Sequence, residues 1–193
     1  MVEFGFEYMF ARRASGMKRF IILVCIVACL LFVTSALAHA GDTVVEANVA
    51  VGQEDSIAYQ VGVRQDFDPL YEGETFDLTP SLGINGHAWV PDHGDTIWGA
   101  TVPLGMRFRM FTSAGFRPYL SGSIGPTFLS DDELDNRDLG SRVLIMTRGA
   151  VGVNFGDSLQ HRVEGVYTHH STWGIANTDP GYDTVGVSYG YSF

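Results

Sequence analysis

A histidine and a serine two residues apart, His169 and Ser171, are followed fourteen residues after the histidine by an acid, Asp183. These are the residue types that acyl transfer needs. An imidazole beside a hydroxyl takes its proton as the oxygen attacks a carbonyl, and a carboxylate behind the imidazole holds the ring and steadies its positive form. The adjacent His170 is the alternative base. A lone histidine near a strand end is more often an interfacial or hydrogen-bonded residue than a chemical one, so the elements carrying these side chains decide between the readings.

Beyond residue 40 no apolar run is long enough for a spanning helix, and no helical stripe persists between caps. Alternation at period two recurs instead. It predicts strands over Thr43–Val51, Ser56–Asp66, Thr75–Trp89, Asp95–Met110, Gly115–Leu129, Ser141–Phe155, Gln160–Ser171 and Tyr182–Phe193. The breaks carry turn residues, as in Gly52-Gln53-Glu54-Asp55, Pro91-Asp92-His93-Gly94 and Gly156-Asp157. Membrane barrel strands need about 9–11 residues, so eight strands and their loops fill residues 41–193 as one domain.

The last strand identifies the solvent. One face carries Asp183, Val185, Val187, Tyr189, Tyr191 and Phe193; the other carries Tyr182, Thr184, Gly186, Ser188, Gly190 and Ser192. A soluble barrel, the competing architecture, buries its apolar face inside. Small and polar residues opposite aromatics suit a narrow polar lumen with lipid outside. The ending on Phe193 after Tyr189 and Tyr191 resembles the C-terminal signature of bacterial outer-membrane barrels. The expected fold is all-β, an eight-stranded antiparallel transmembrane outer-membrane β-barrel.

On that fold the three chemical residues meet. Alternation puts His169 and Ser171 on the face of Val163, Gly165 and Tyr167, opposite Arg162, Glu164 and Val166. That is the lipid side, and Asp183 belongs to the lipid-facing set of the next strand. A carboxylate facing hydrocarbon costs several kcal/mol unless something pairs with it, and the imidazole is the available partner. His170 points to the lumen. With a periplasmic N-terminus the seventh strand runs outward. Ten residues at roughly 3.3 Å each and a tilt near 45° rise about 20–25 Å, which puts His169 at the outer leaflet.

The N-terminal 40 residues read as processing rather than fold. Met17-Lys18-Arg19 precedes an apolar run of 14 residues from Phe20 to Val33, then Thr34-Ser35-Ala36-Leu37-Ala38-His39-Ala40, the pattern of a signal peptide cut after Ala40. Glu3 and Glu7 are out of place in a signal n-region, which favours Met17 as the start. Cys25 and Cys29 both lie in the apolar run, so the mature chain carries no thiol. Ile26-Val27-Ala28-Cys29 weakly resembles a lipoprotein box, but cutting there leaves an apolar N-terminus. The chain has 12 Lys and Arg against 22 Asp and Glu, and its last lysine is Lys18. Such acidity disfavours a nucleic-acid partner.

The segment Tyr167-Thr168-His169-His170-Ser171-Thr172-Trp173-Gly174-Ile175-Ala176-Asn177-Thr178-Asp179-Pro180-Gly181-Tyr182-Asp183 resembles the PagL family of outer-membrane lipid A deacylases and the wider acyloxyacyl-hydrolase-like group. Their pattern is His-x-Ser, then Asn-Ala-Gly, an Asn-Pro-Gly-like turn and an acid fourteen positions after the His. His169, Ser171, Gly174, Pro180, Gly181 and Asp183 match it. The likeness continues upstream through Arg117-Pro118-Tyr119, Gly122-Ser123-Ile124-Gly125 and Asn136-Arg137-Asp138-Leu139-Gly140-Ser141.

The resemblance implies a serine-type hydrolysis of an ester-linked acyl chain of lipid A, at the 3-O position, with His169, Ser171 and Asp183 catalytic and no cofactor or metal. Its partners are lipid A or lipopolysaccharide and the membrane, with no nucleic acid and with a homodimer as the oligomer left open. Thr172 and Asp179 stand where the family has Asn, and an ionised Asp cannot donate to an oxyanion. The Gly174 N–H and the Asn177 side chain are the substitute donors. Asp183 is one methylene shorter than the family's usual Glu, so the hairpin must bring the strands closer or tilt the ring.

Other clusters read as structure. His87, His93 and Asp92 match no metal spacing and fit a polar loop. Asp131, Asp132, Glu133 and Asp135 lack the glycine and terminal Glu of a calcium loop. Trp89 and Trp98 are expected in the interfacial belt. The alternatives to an enzyme are an inactive structural barrel of the same family and a small porin or adhesin, the pore being disfavoured because narrow barrels are filled by their own side chains.

Overall fold

The computed structural model describes residues 42–193 apart from 54, 113, 136 and 175–180. The expected signal peptide with Met17, Cys25, Cys29 and the cut after Ala40 lies outside the described residues, as do Asn177 and Asp179. Eight antiparallel strands close into a barrel: Asp42–Gly52, Ile57–Asp66, Phe76–Val90, a fourth in two segments (Ile97–Thr101 and Leu104–Met110), Arg117–Leu129, Val143–Phe155, His161–Ser171 and Tyr182–Ser192. The first and last strands pair from Val44 with Ser192 to Gly52 with Thr184, so no edge is left open. The fourth strand is interrupted where Pro103 has no N–H to give to the ladder, yet its register against both neighbours is the same on either side.

The two faces are inverted relative to a soluble barrel. Val49, Val51, Tyr59, Val61, Leu104, Leu120, Phe128, Val151, Val185 and Val187 are exposed on the outside. Inside, Arg64, Arg107, Arg148 and Arg162 meet Glu46, Asp66 and Glu164 at N···O distances of 2.6 to 3.9 Å, and Tyr119 donates to Glu164 Oε1 at 2.9 Å. The two faces follow one logic: an apolar exterior needs hydrocarbon, and a charged interior survives only because its ions have opposite partners.

One end of the barrel, here the upper end, carries the turns between strands one and two, three and four, five and six, and seven and eight. Leu134 and Leu139, from the loop after the fifth strand, tuck into it. They join Ala50, Ala58, Trp89, Ile97, Leu129, Leu144 and Tyr182 in an apolar plug. Within that loop Glu133–Leu134 pairs with Arg137–Asp138. Trp98 is exposed outside as a belt residue should be, whereas Trp89 is 2% exposed and points inward. The belt assignment of Trp89 is therefore corrected. It shares the inner parity of Asn85 and His87 on its strand and fills the plug. His87 likewise sits in a strand, buried in the lumen and stacked on Trp89 at 5.1 Å, and not in a polar loop with His93.

Candidate active site

The hairpin of the seventh and eighth strands sets His169 directly opposite Asp183. Facing residues in an antiparallel pair have Cβ atoms about 4.5–5.5 Å apart, so a short acid spans the gap. His169 Nδ1 donates to Asp183 Oδ1 at 2.8 Å. A carboxylate only accepts, so Nδ1 is the donor, and in the neutral ring Nε2 is then the acceptor. The pair lies on the lipid-facing side, each side chain about one third exposed, 37% for His169 and 33% for Asp183.

The same carboxylate has two further partners. Tyr167, two residues before His169 on the same face, donates its hydroxyl to Asp183 Oδ1 at 2.7 Å. Gln53, from the turn between the first two strands, donates Nε2 to Oδ2 at 3.1 Å and accepts the Asp183 N–H on Oε1 at 3.3 Å. Arg137, from the upper-end loop, donates Nε and Nη2 to the Gly181 carbonyl at 3.1 and 2.7 Å. Sequence reasoning missed all three. A signal for Tyr167 was present, since Tyr-x-His-x-Ser runs along one face; Gln53 and Arg137 lie 130 and 44 residues from their partners, and no local pattern announces them.

Ser171 ends the seventh strand, paired with Ile145. Alternation gives it the side of His169, but only 6% of it is exposed, and among the described residues no hydrogen bond joins it to the imidazole. The structure thus brings His169 and Asp183 together and leaves Ser171 adjacent along the strand. Trp173 and Gly174 follow in consecutive left-handed conformations, φ 52° and 74°, with Gly174 exposed. The other candidate oxyanion donor, Asn177, lies outside the described residues.

His170 faces the opposite way. It is 6% exposed, with its ring centroid 4.9 Å from Trp89, 6.2 Å from His87 and 6.4 Å from Tyr182. The barrel wall separates it from Asp183. Among the described residues no group of three His, Cys, Asp or Glu side chains is arranged to hold a metal ion, and Asp131 and Asp132 pair with Arg142 at 3.2 and 3.4 Å.

A family model described as lipid A 3-O-deacylase (PagL) matches residues 56–192. The lipid A deacylase PagL of Bordetella bronchiseptica is 32% identical over 123 residues, 61% of this chain; the match spans 63% of that relative's length, a little under two thirds. Among solved structures, the crystal structure of the outer membrane enzyme PagL superposes with a TM-score of 0.69 at 19% identity, covering 77% of this chain and 98% of that one. Neisserial surface protein A (NspA) superposes with a TM-score of 0.55 at 13% identity, covering 79% and 96%. At such identities these two speak for the barrel fold.

Proposed function

The chain belongs to the lipid A 3-O-deacylase (PagL) family of outer-membrane barrels, and on that premise we propose that it hydrolyses the ester-linked acyl chain at the 3-O position of lipid A, with Ser171 as nucleophile, His169 as base and Asp183 as the acid that orients it. The observation that carries the proposal is the bond from His169 Nδ1 to Asp183 Oδ1 on the lipid-facing wall of the barrel. It leaves Nε2 as the acceptor on the histidine, which is the atom the chemistry uses.

Ser171 Oγ attacks the ester carbonyl carbon while His169 Nε2 takes its proton. The carbonyl oxygen becomes the oxyanion, met by the Gly174 N–H with Asn177 as the second donor; loss of one such donor costs about 3 kcal/mol in comparable sites. Collapse expels the sugar 3-oxygen, which takes the proton from the imidazolium and leaves as the 3-hydroxyl. Water then attacks the acyl-serine with His169 again as base, which releases the fatty acid and restores Ser171. The substrate comes from the outer leaflet, so it needs no internal cavity, and no cofactor or metal enters any step.

A second reading is a catalytically silent barrel of the same family. The burial of Ser171 and the absence of a bond from it to His169 among the described residues favour it. The ion-paired lumen gives no support to a pore. Incubating the refolded protein with lipid A and reading the product by mass spectrometry decides. Loss of one 3-O acyl chain that disappears in Ser171→Ala supports the deacylase; intact lipid A with wild-type protein supports the silent barrel.

A further inference from the structure

We infer that Gln53 and Tyr167 are positioning residues that act on the reaction through Asp183. The inference rests on the deacylase reading above and extends it to the shell around the acid. Asp183 lies on the lipid-facing side with two thirds of its side chain buried, where a carboxylate loses most of its water and is costly without other donors. Three side chains supply them instead. Oδ1 accepts from His169 and from Tyr167, and Oδ2 accepts from Gln53.

The Gln53 contact is two-ended. Its amide N–H₂ holds the side chain of Asp183 while its amide oxygen accepts the backbone N–H of the same residue, so both the carboxylate and the strand that carries it are fixed from one group. An aspartate has one χ torsion fewer than a glutamate and less reach, so its oxygens meet the imidazole only from a narrow range of positions. Gln53 and Tyr167 approach from opposite sides, Gln53 from the first-to-second-strand turn across the barrel seam and Tyr167 from the seventh strand. Between them they leave the Oδ1 lone pair aimed at His169 Nδ1. Tyr167 is half exposed on the lipid face, where a belt tyrosine has no need of an acidic partner.

The test is a double-mutant cycle on the full chain, refolded in detergent with lipid A as substrate. Gln53→Ala and Tyr167→Phe should each lower kcat about tenfold to a hundredfold, as misplacement of a catalytic group does, with KM almost unchanged. In the Asp183→Asn background the same substitutions should cost little more. Gln53→Glu should be worse than Gln53→Ala, because it sets a second carboxylate beside Asp183.

Nitrogen NMR of His169 in labelled barrels gives a readout independent of turnover: wild type should hold the Nδ1–H tautomer, and both variants should mix it with the Nε2–H form. Full kcat with an unaltered tautomer in Gln53→Ala and Tyr167→Phe overturns the inference, as do losses of equal size in the Asp183→Asn background. If wild type fails to deacylate lipid A, the functional reading fails. The tautomer of His169 then judges the positioning shell by itself: mixing in the variants upholds the shell, and no change overturns it.

Discussion

The carbonyl oxygen of Gly181 accepts two hydrogen bonds from the guanidinium of Arg137, which ties the loop after the fifth strand to the residue just before the eighth. Two residues further on is Asp183. A planar fork fixes both the position and the direction of that carbonyl, and an ammonium group cannot. Arg137→Lys should therefore lower the deacylation rate by more than its conserved charge suggests, about tenfold. Initial rates for Arg137→Lys and Arg137→Ala check this; a Lys variant as active as wild type would show that charge alone suffices.

Gly181 itself packs against the histidine. Its backbone has φ 61°, and a Cβ built there would lie 2.9 Å from His169 Cε1. Gly181→Ala forces the ring away and adds about 1–2 kcal/mol of backbone strain. The expected result is a barrel that still shows heat-modifiable migration on gels but has lost most of its activity. Wild-type turnover in this variant would mean that the ring position seen here is not the working one.

On the proposed mechanism, Ser171→Ala and His169→Ala each abolish fatty-acid release while the barrel folds, because His169 lies on the outer side of the wall and Ser171→Ala removes a single oxygen. Asp183→Asn should slow the reaction strongly without ending it, since the asparagine amide oxygen still holds the imidazole by a weaker, uncharged bond. Release of fatty acid from purified lipopolysaccharide measures all three. Persistent activity in Ser171→Ala would remove the serine mechanism.

His170→Ala separates the two adjacent histidines. Its ring fills the inner plug against Trp89, so its loss should cost stability, about 2–4 kcal/mol by analogy with other large-to-small core changes, and leave the rate within a few-fold of wild type. Urea unfolding and deacylation on the same preparation make the comparison. Activity lost in His170→Ala and kept in His169→Ala would mean that the site is on the lumen side.

The lumen network predicts a stability effect remote from the site. Glu164 receives Arg148 at 2.6 Å and the Tyr119 hydroxyl at 2.9 Å, with Arg64 at 3.8 Å. Glu164→Ala strands buried arginines and should lower unfolding stability by about 3–5 kcal/mol. A midpoint unchanged in denaturant would show that water takes over those partners.

The residues alone determined much of the architecture. Alternation at period two marked eight strands to within two residues of their ends, because a strand with lipid on one side and a polar lumen on the other must alternate. The same rule put His169 and Asp183 on one face and His170 on the other, and the hairpin connection set strands seven and eight side by side. Where the barrel mouth tucks aromatic residues inside, residue type misleads: a tryptophan near a strand end suits the belt, but the parity of Trp89 with His87 points it inward.

What only the tertiary structure decided depends on contacts made across the seam and over the mouth. Gln53 reaches Asp183 because the first strand pairs with the last, and Arg137 reaches Gly181 because Leu134 and Leu139 draw their loop into the plug. Sequence periodicity fixes which way a side chain points relative to its neighbours along one strand. It carries no information about which distant turn closes over it, since that is set by barrel closure and by burial of apolar surface summed over the whole chain.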